Sequence, residues 1–336
     1  MPNSLYTQAN IKKVRTKIDI KRNFLLQTFF NKKDKSTTSK IILELTKSKE
    51  AAAPFVTLLD KGKLMLANKT RTNIIEASKI AISKPIDQSI LEGRPEGVAL
   101  GTGEIEHHAK IMRKILLDQE NYIINKEELM VSQFLTSGKV MNQEGEAGYE
   151  VDYGLGNIET LSMEKLWSKP EVDPIESLDR IIAKTEESGS IVEVIVMGME
   201  AAICFTKNIH AQKLVSKDLQ SEFVKEVTKK YPGVVWIGTY KTYGIELFRY
   251  KRSVLDLAGN KINLMPDNVV IGGPKGGEII YAPIMNTSNS KEAPLKRVER
   301  YSHVSNIEDS GLMITTTSRP MLNPMDVDGY FCVTVC

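Results

Sequence analysis

One stretch limits what this chain can fold into: Gly103 to Gly138, GEIEHHAKIMRKILLDQENYIINKEELMVSQFLTSG, which contains no proline. Apolar or large residues recur at Ile105, Ile111 and Met112, Ile115 and Leu116, Tyr122 and Ile123, Met130, and Phe134 and Leu135. Spacings of three, four and seven put them on one stripe of a helix. Lys110, Arg113, Lys114, Asp118, Glu120, Lys126, Glu127 and Glu128 are assigned to the other face. Gly138 reads as the stop. At about 1.5 Å per residue the helix is a rod of roughly 45–50 Å, against a mean helix of about 11–12 residues. The apolar spacing is too ragged for a sustained heptad seam, so the stretch reads as a spine lying across a sheet.

The chain has 336 residues, enough for two packed units or one extended subunit of several parts. With 41% apolar and 26% charged residues it has the composition of a folded soluble protein. A net charge of only +3 argues against the whole molecule being a nucleic-acid magnet. No apolar run approaches the length of about 18 residues that a spanning helix needs, and the first residues, MPNSLYTQANIKKV, lack the apolar core of a signal peptide. Cys204, Cys332 and Cys336 fit no metal spacing and read as reduced thiols of a cytosolic protein.

Residues 1–35 form a basic arm, nine lysines and arginines against two aspartates, a local charge of +7. Within it lies the apolar cluster Phe24-Leu-Leu-Gln-Thr-Phe29-Phe30. Three readings are open: an arm that docks on a neighbouring subunit, a nucleic-acid tail, or a short helix packed on its own body. Aromatics in a basic arm favour docking over the tail, because a solvating tail carries none.

Residues 36–84 read as β structure, with strands at 40–46, 54–59 and 64–67, a turn at 60–63, and mixed β-branched sequence from Thr70 to Ile82. A hairpin this long that projects from the body needs a partner surface. Pro85 to Gly101 reads as loop. After the long helix, 139–142 and 149–153 flank a turn at 144–146. Asp173-Pro174 caps a helix from Ile175 to Ser188. A strand at 191–196, helices at 199–205 and 211–230, and strands at 234–239 and 244–250 then make a compact α/β unit between 175 and 289, left by a polar linker at 286–290. The tail has strands at 295–304, 311–317 and 330–335, with no helix of its own, so the long helix is their expected cover. The fold class is α+β, with an inserted second domain.

Catalytic constellations are thin. His107 and His108 are adjacent on a helix and share no face; His210 and His303 are remote. Gly272-Gly-Pro-Lys-Gly-Gly277 lacks the Lys-Ser/Thr ending and following helix of a P-loop, and Gly154-x-Gly156 lacks a third glycine. No G-x-S-x-G occurs. The reading is therefore of a non-enzyme with no cofactor and no metal. An enzyme with a pocket in 175–289, or a nucleic-acid binder using the basic arm, are the competing classes.

Four segments, in order, resemble the lambda-type major capsid (major head) proteins of tailed bacteriophages. Phe24–Phe30 looks like that family's arm motif. The long charged helix followed by G-K-V-M-N-x-E-G-E and Tyr149-Glu-Val-Asp-Tyr-Gly154 is similar to its spine helix and strand pair. Lys261-Ile-Asn-Leu-Met-Pro-Asp-Asn-Val-Val-Ile-Gly272 is similar to the segment near the end of its axial domain. Arg319 to Val335 looks like its closing strands.

The resemblance implies an N-terminal arm (1–35), an extended β-loop (36–84), a peripheral domain (85–174 and 290–336) on a spine helix (104–137), and an inserted α/β axial domain (175–289). It implies self-assembly, as hexamers and pentamers, into the icosahedral shell around a double-stranded DNA genome. Further implied are a separate scaffold protein, a portal, a decoration protein, DNA contact that is non-specific and confined to the shell interior, and assembly in the bacterial host cytoplasm with no membrane. Some tailed-phage shells crosslink a loop lysine to a neighbouring asparagine; the lambda-type branch does not generally do so, and Lys61, Lys63 and Lys69 are not assigned that role. Intersubunit contacts are expected from Phe24, Leu25, Phe29 and Phe30 on an adjacent subunit, from Leu58, Leu59, Leu64, Met65 and Leu66 over another subunit's spine, and from Arg113, Lys114, Glu127 and Glu128 as charge pairs. A solvated face is the rival reading for those charges.

Overall fold

The computed structural model describes residues 8–18, 23–46, 70–86, 104–141, 150–217, 222–231, 233–255, 259–285, 295–307 and 311–336. The expected strands at 54–59 and 64–67, the turns at 60–63 and 144–146, most of the 85–101 loop and the linker at 286–290 lie outside these residues.

The arm forms two short helices, α1 (Gln8–Thr16) and α2 (Phe24–Phe29). The spine is a single helix, α3 (Glu104–Ser137), 34 residues long. It ends where expected: Gly138 has φ +69°, its N–H donates to the Phe134 carbonyl at 2.8 Å, and a Cβ there would lie 2.6 Å from that of Leu155. Only glycine fits both the left-handed turn and that contact.

After α3 come α4 (Pro174–Glu186), α5 (Met199–Lys207), α6 (Ile209–Leu214) and α7 (Glu222–Lys230). The Asp173 carboxylate accepts the Ile175 N–H at α4, with Pro174 in its first turn, as the sequence predicts. The single helix expected over 211–230 is instead α6 and α7. Between them Val215–Ser216 turns into a strand and pairs with Thr239 and Tyr240. The opposing strand bulges at Gly238, where a Cβ would lie 2.2 Å from the Val215 side chain. Ladder bonds at an open sheet edge outweigh helix propensity there.

The principal layer is a seven-stranded mixed sheet in the order 158–160, 331–334, 269–273, 194–197, 245–250, 234–240, 215–216. Its strands alternate between two cores. Val194, Val196, Phe248, Tyr250, Ile271 and Cys332 enter a core shared with α2, α7 and the end of α3. Ile195, Met197, Leu247, Val270, Phe331 and Val333 enter the other, under α4 and α5. Period-two alternation with apolar residues on both sides is what a sheet covered on both faces requires.

A second layer, 301–307, 311–318 and 80–86, packs on the first half of α3 together with α1, burying Ile11, Ile86, Met112, Ile115, Leu116 and Ile314. A third sheet pairs 32–35, 278–281 and 320–323 in that order, with the arm strand parallel to 278–281. The spine thus covers the tail strands 301–318 as expected. The closing strand differs: 331–334 pairs with 269–273 and 158–160 in the principal sheet. Its alternating apolar residues on two faces need cover on both sides, which the spine alone does not provide.

Candidate functional site

The chemistry of this chain is concentrated along α3. Buried positions run Met112, Leu116, Gln119 and Glu120, Ile123, Glu127 and Glu128, Met130 and Val131, Phe134. The expected division of the helix is therefore corrected. Arg113 and Lys114 are exposed, but Glu120, Glu127 and Glu128 are buried in register with the apolar stripe. The signal was present in the spacing, since Glu120 and Glu127 continue the four-three repeat of Leu116, Ile123 and Val131; their charge alone placed them outside.

Each of these carboxylates has partners from distant elements. Arg300 donates Nε to Glu120 at 2.9 Å, its guanidinium to Glu127 at 2.7 Å, and to the Ser318 hydroxyl at 2.8 Å. Arg15, on α1, donates to the other oxygen of Glu120. The Arg300 guanidinium also lies 5.5 Å from the Tyr281 ring centre. Burial alone would lower the pKa of Arg300, yet the fields of Glu127 and Glu120 outweigh it and raise it. For Arg15 burial wins over Glu120 and the pKa falls. The other Glu127 oxygen, Oε1, is buried without a hydrogen-bond partner among the described residues, so that pair carries an uncompensated desolvation cost.

Glu128 acts on the arm. Its carboxylate accepts the backbone N–H groups of Leu25 at 2.8 Å and Leu26 at 2.9 Å, and the Tyr250 hydroxyl at 3.0 Å. Asn23 makes no side-chain cap to α2, so a carboxylate from the spine fills that role. Burial raises the Glu128 pKa, and the two N–H donors and Tyr250 offset this only in part. Burial likewise pushes the Tyr250 hydroxyl upward, reinforced by Glu128.

The arm residues expected on a neighbouring subunit also lie inside their own chain. Phe24, Leu25, Phe29 and Phe30 are each 0% exposed within their own chain. Phe24 meets Phe248 and Tyr250 with ring centres at 5.4 and 5.3 Å, and Phe30 meets Phe134 at 5.6 Å and Tyr330 at 6.2 Å. Seven residues cannot bury four large side chains among themselves, and these pack at the junction of α3 with the sheet. The same holds for Glu127 and Glu128, whose partners are intrachain. Leu58, Leu59, Leu64, Met65 and Leu66 lie outside the described residues.

The glycine-rich segment 272–277 has a packing explanation. A Cβ at Gly272 would lie 2.5 Å from the Phe331 ring, and one at Gly273 2.4 Å from that of Tyr330. The Met265-Pro-Asp-Asn268 segment is a backbone hub. The Asp267 carbonyl accepts the N–H groups of Glu200 and Ala201 at the start of α5, and Asn268 bonds Val335 and Cys336. Cavities of about 410 Å³, lined by Glu76, Lys79, His303 and Arg319 among others, and about 400 Å³, lined by Gln212, Lys217 and Lys241 among others, contain no catalytic arrangement among the described residues. His303 is held below the ordinary imidazole range by burial and then by Lys79.

The family described as phage major capsid protein E matches residues 7–335. No curated protein matches. Among solved structures, a protein described as the capsid protein of an E. coli CFT073 prophage superposes with a TM-score of 0.75 at 18% identity, covering 99% of both chains. A phage-related protein of Bordetella bronchiseptica RB50 gives 0.46 at 10% identity, over 96% of this chain and 95% of that one. The SrpI encapsulin of Synechococcus elongatus PCC 7942 gives 0.45 at 10% identity, over 96% and 94%.

Proposed function

The chain belongs to the phage major capsid protein E family and is a major capsid protein that forms the head shell, and from that premise we propose how its parts divide the work. Residues 85–174 and 290–336 act as the peripheral domain on the spine, and 175–289 as the axial domain at the centres of hexamers and pentamers. Residues 36–84 act as an extended loop that reaches a neighbour. The arm, 1–35, serves the subunit itself: it locks α3 to the sheet, so that the tile is rigid before it meets its copies.

The observation that supports the loop assignment is the strand pair Lys40–Thr46 with Thr70–Glu76, antiparallel over seven residue pairs in a sheet of two strands among the described residues, with Ile74 66% exposed. A lone two-stranded ribbon is marginal in water. A neighbouring spine would complete it, with Leu58, Leu59, Leu64, Met65 and Leu66 as the apolar contact and Arg113 and Lys114 as charge partners. A separate scaffold, a portal and a decoration protein complete the assembly in this reading. The genome touches the shell interior without sequence preference, and assembly takes place in the bacterial cytoplasm. Among the described residues no helix is long and apolar enough to cross a membrane.

Electron microscopy of purified protein tests this reading, comparing the natural chain with a Leu64→Asp, Leu66→Asp variant. The expected result is closed shells from the first and folded, unassembled subunits from the second. Normal shells from the variant overturn the loop assignment.

A further inference from the structure

The fold brings together two of the three cysteines, 132 positions apart in sequence: Cys204 on α5 and Cys336 beyond strand Phe331–Thr334, with Sγ atoms 3.5 Å apart. Both are free and partly exposed, whereas Cys332 is buried. We propose that Cys204 and Cys336 form a modification site, an internal dithiol that closes to a disulfide on exchange with a small-molecule disulfide such as oxidised glutathione.

The geometry is held by the same short backbone segment. At one end, the Asp267 carbonyl accepts Glu200 and Ala201 N–H at 2.9 and 3.0 Å, and Gly198 N–H donates to the Val269 carbonyl at 2.9 Å; this fixes the start of α5. At the other, Val335 N–H donates to the Asn268 carbonyl at 3.0 Å, and the Asn268 amide donates to the Cys336 carbonyl at 3.3 Å. Trp167 N–H donates to the Val335 carbonyl at 2.8 Å. Residues 267–269 therefore tie both cysteines to one frame, which holds their sulfurs 3.5 Å apart. Closing to the bond length of about 2.05 Å brings the two sulfurs roughly 1.5 Å nearer.

The exchange balances. The Cys204 thiolate attacks the small disulfide, forming a mixed disulfide and releasing one thiolate. Cys336 loses its proton to solvent and attacks the Cys204 sulfur, forming the internal bond and releasing the second thiolate. The two protein sulfurs are oxidised by two electrons, the small disulfide is reduced by two, and the two protons end on its thiols. Burial, then the Cys204 thiol beside it, raises the Cys336 pKa to about 12. The second step speeds as pH rises, because the thiolate is the nucleophile. Such a dithiol stays open in a reducing cytoplasm and closes in an oxidising exterior. The bond would fasten α5 to the closing strand of the principal sheet, and it does not depend on how the domains divide the assembly.

The test uses the full-length chain, reduced, then treated with oxidised glutathione at mildly alkaline pH and quenched with a thiol alkylator. Intact mass and peptide mapping are the readouts. The expected product is a monomer lacking two hydrogens, with Cys204 and Cys336 in one crosslinked peptide and Cys332 still a thiol. C204S and C336S each lose that product, and C204S or C336S chains that retain the remaining partner stop at the glutathione adduct or at a dimer. If the natural chain itself accumulates a stable glutathione adduct or disulfide-linked dimers, with no internal crosslink, the assignment is overturned.

Discussion

The Glu128 carboxylate of the spine accepts the Leu25 backbone N–H at 2.8 Å, 103 residues away in sequence. The arm helix is thus capped by the rod it packs against, so α2 and α3 order together. Glu128→Gln keeps the size but turns an amide NH2 toward one of the donors, Leu25 or Leu26. Loss of about 1–3 kcal/mol is expected, the range for stranding a buried donor. Urea unfolding of the subunit checks it; an unchanged midpoint would remove the cap from the account.

The same residue gives a pH dependence of unusual sign. Burial raises the folded-state pKa of Glu128 above its unfolded value. Its contribution to stability is then fully present below the unfolded pKa. It declines as pH rises through the interval up to the folded pKa, because there the native state holds the proton and the unfolded state does not. The stability gap between the natural chain and Glu128→Gln should narrow as pH rises through that interval. Paired denaturation curves across the acidic range measure this, and a widening gap would contradict it.

Arg300 is the counter-charge for two spine carboxylates, with its side chain 2% exposed against 3% for Glu120 and 1% for Glu127. Arg300→Met leaves Glu127 without its counter-charge and Glu120 with Arg15 alone, at an expected loss of about 3–5 kcal/mol. Adding Glu127→Met should recover part of it, because the second change removes one stranded charge. Thermal melts of the two variants decide the matter: a double variant less stable than the single one would mean that Glu127 is held by something other than Arg300.

Local pattern in the sequence revealed the elements whose causes are local. The rod ends at Gly138 because of its left-handed φ, and α4 starts at Asp173-Pro174 because of a local cap. The order of the four family-like segments carried the fold as a whole. What stayed hidden was long-range. Arg15 and Arg300 sit in basic-looking surroundings, and nothing near them in sequence indicates that they meet Glu120 across 105 and 180 residues. The phenylalanines at 24, 29 and 30 were legible as buried. Whether the burying surface was their own body or a neighbour's depends on the junction between α3 and the sheet, which no local spacing encodes.

Phe29→Asp with Phe30→Asp separates those two possibilities. A docking arm would give a stable subunit that fails to assemble. With both rings fully buried and Phe30 packed on Phe134 and Tyr330, the double variant should instead fail to fold, with loss of cooperative melting before any assembly step. Phe30→Ala, a milder probe, should cost about 3–5 kcal/mol. A normally melting double variant would return the arm to a neighbour's surface.

Arg113 and Lys114 are exposed on the subunit, so of the four spine charges expected to pair between subunits these two have a surface to offer. Each exposed pair contributes only about 0–1 kcal/mol, and reversal to Arg113→Glu, Lys114→Glu should leave subunit stability within about 0.5 kcal/mol. In a closed shell the same contact recurs on every copy, so a small change per contact is multiplied over the lattice. The expected outcome is an unchanged melting curve together with a raised concentration threshold for shell formation. The shift should be largest at low ionic strength, where such charges are least screened. Light scattering against protein concentration at two salt levels measures it. An unshifted threshold at low salt would show that the outer face of the spine is merely solvated, and the intersubunit contact would have to come from the loop alone.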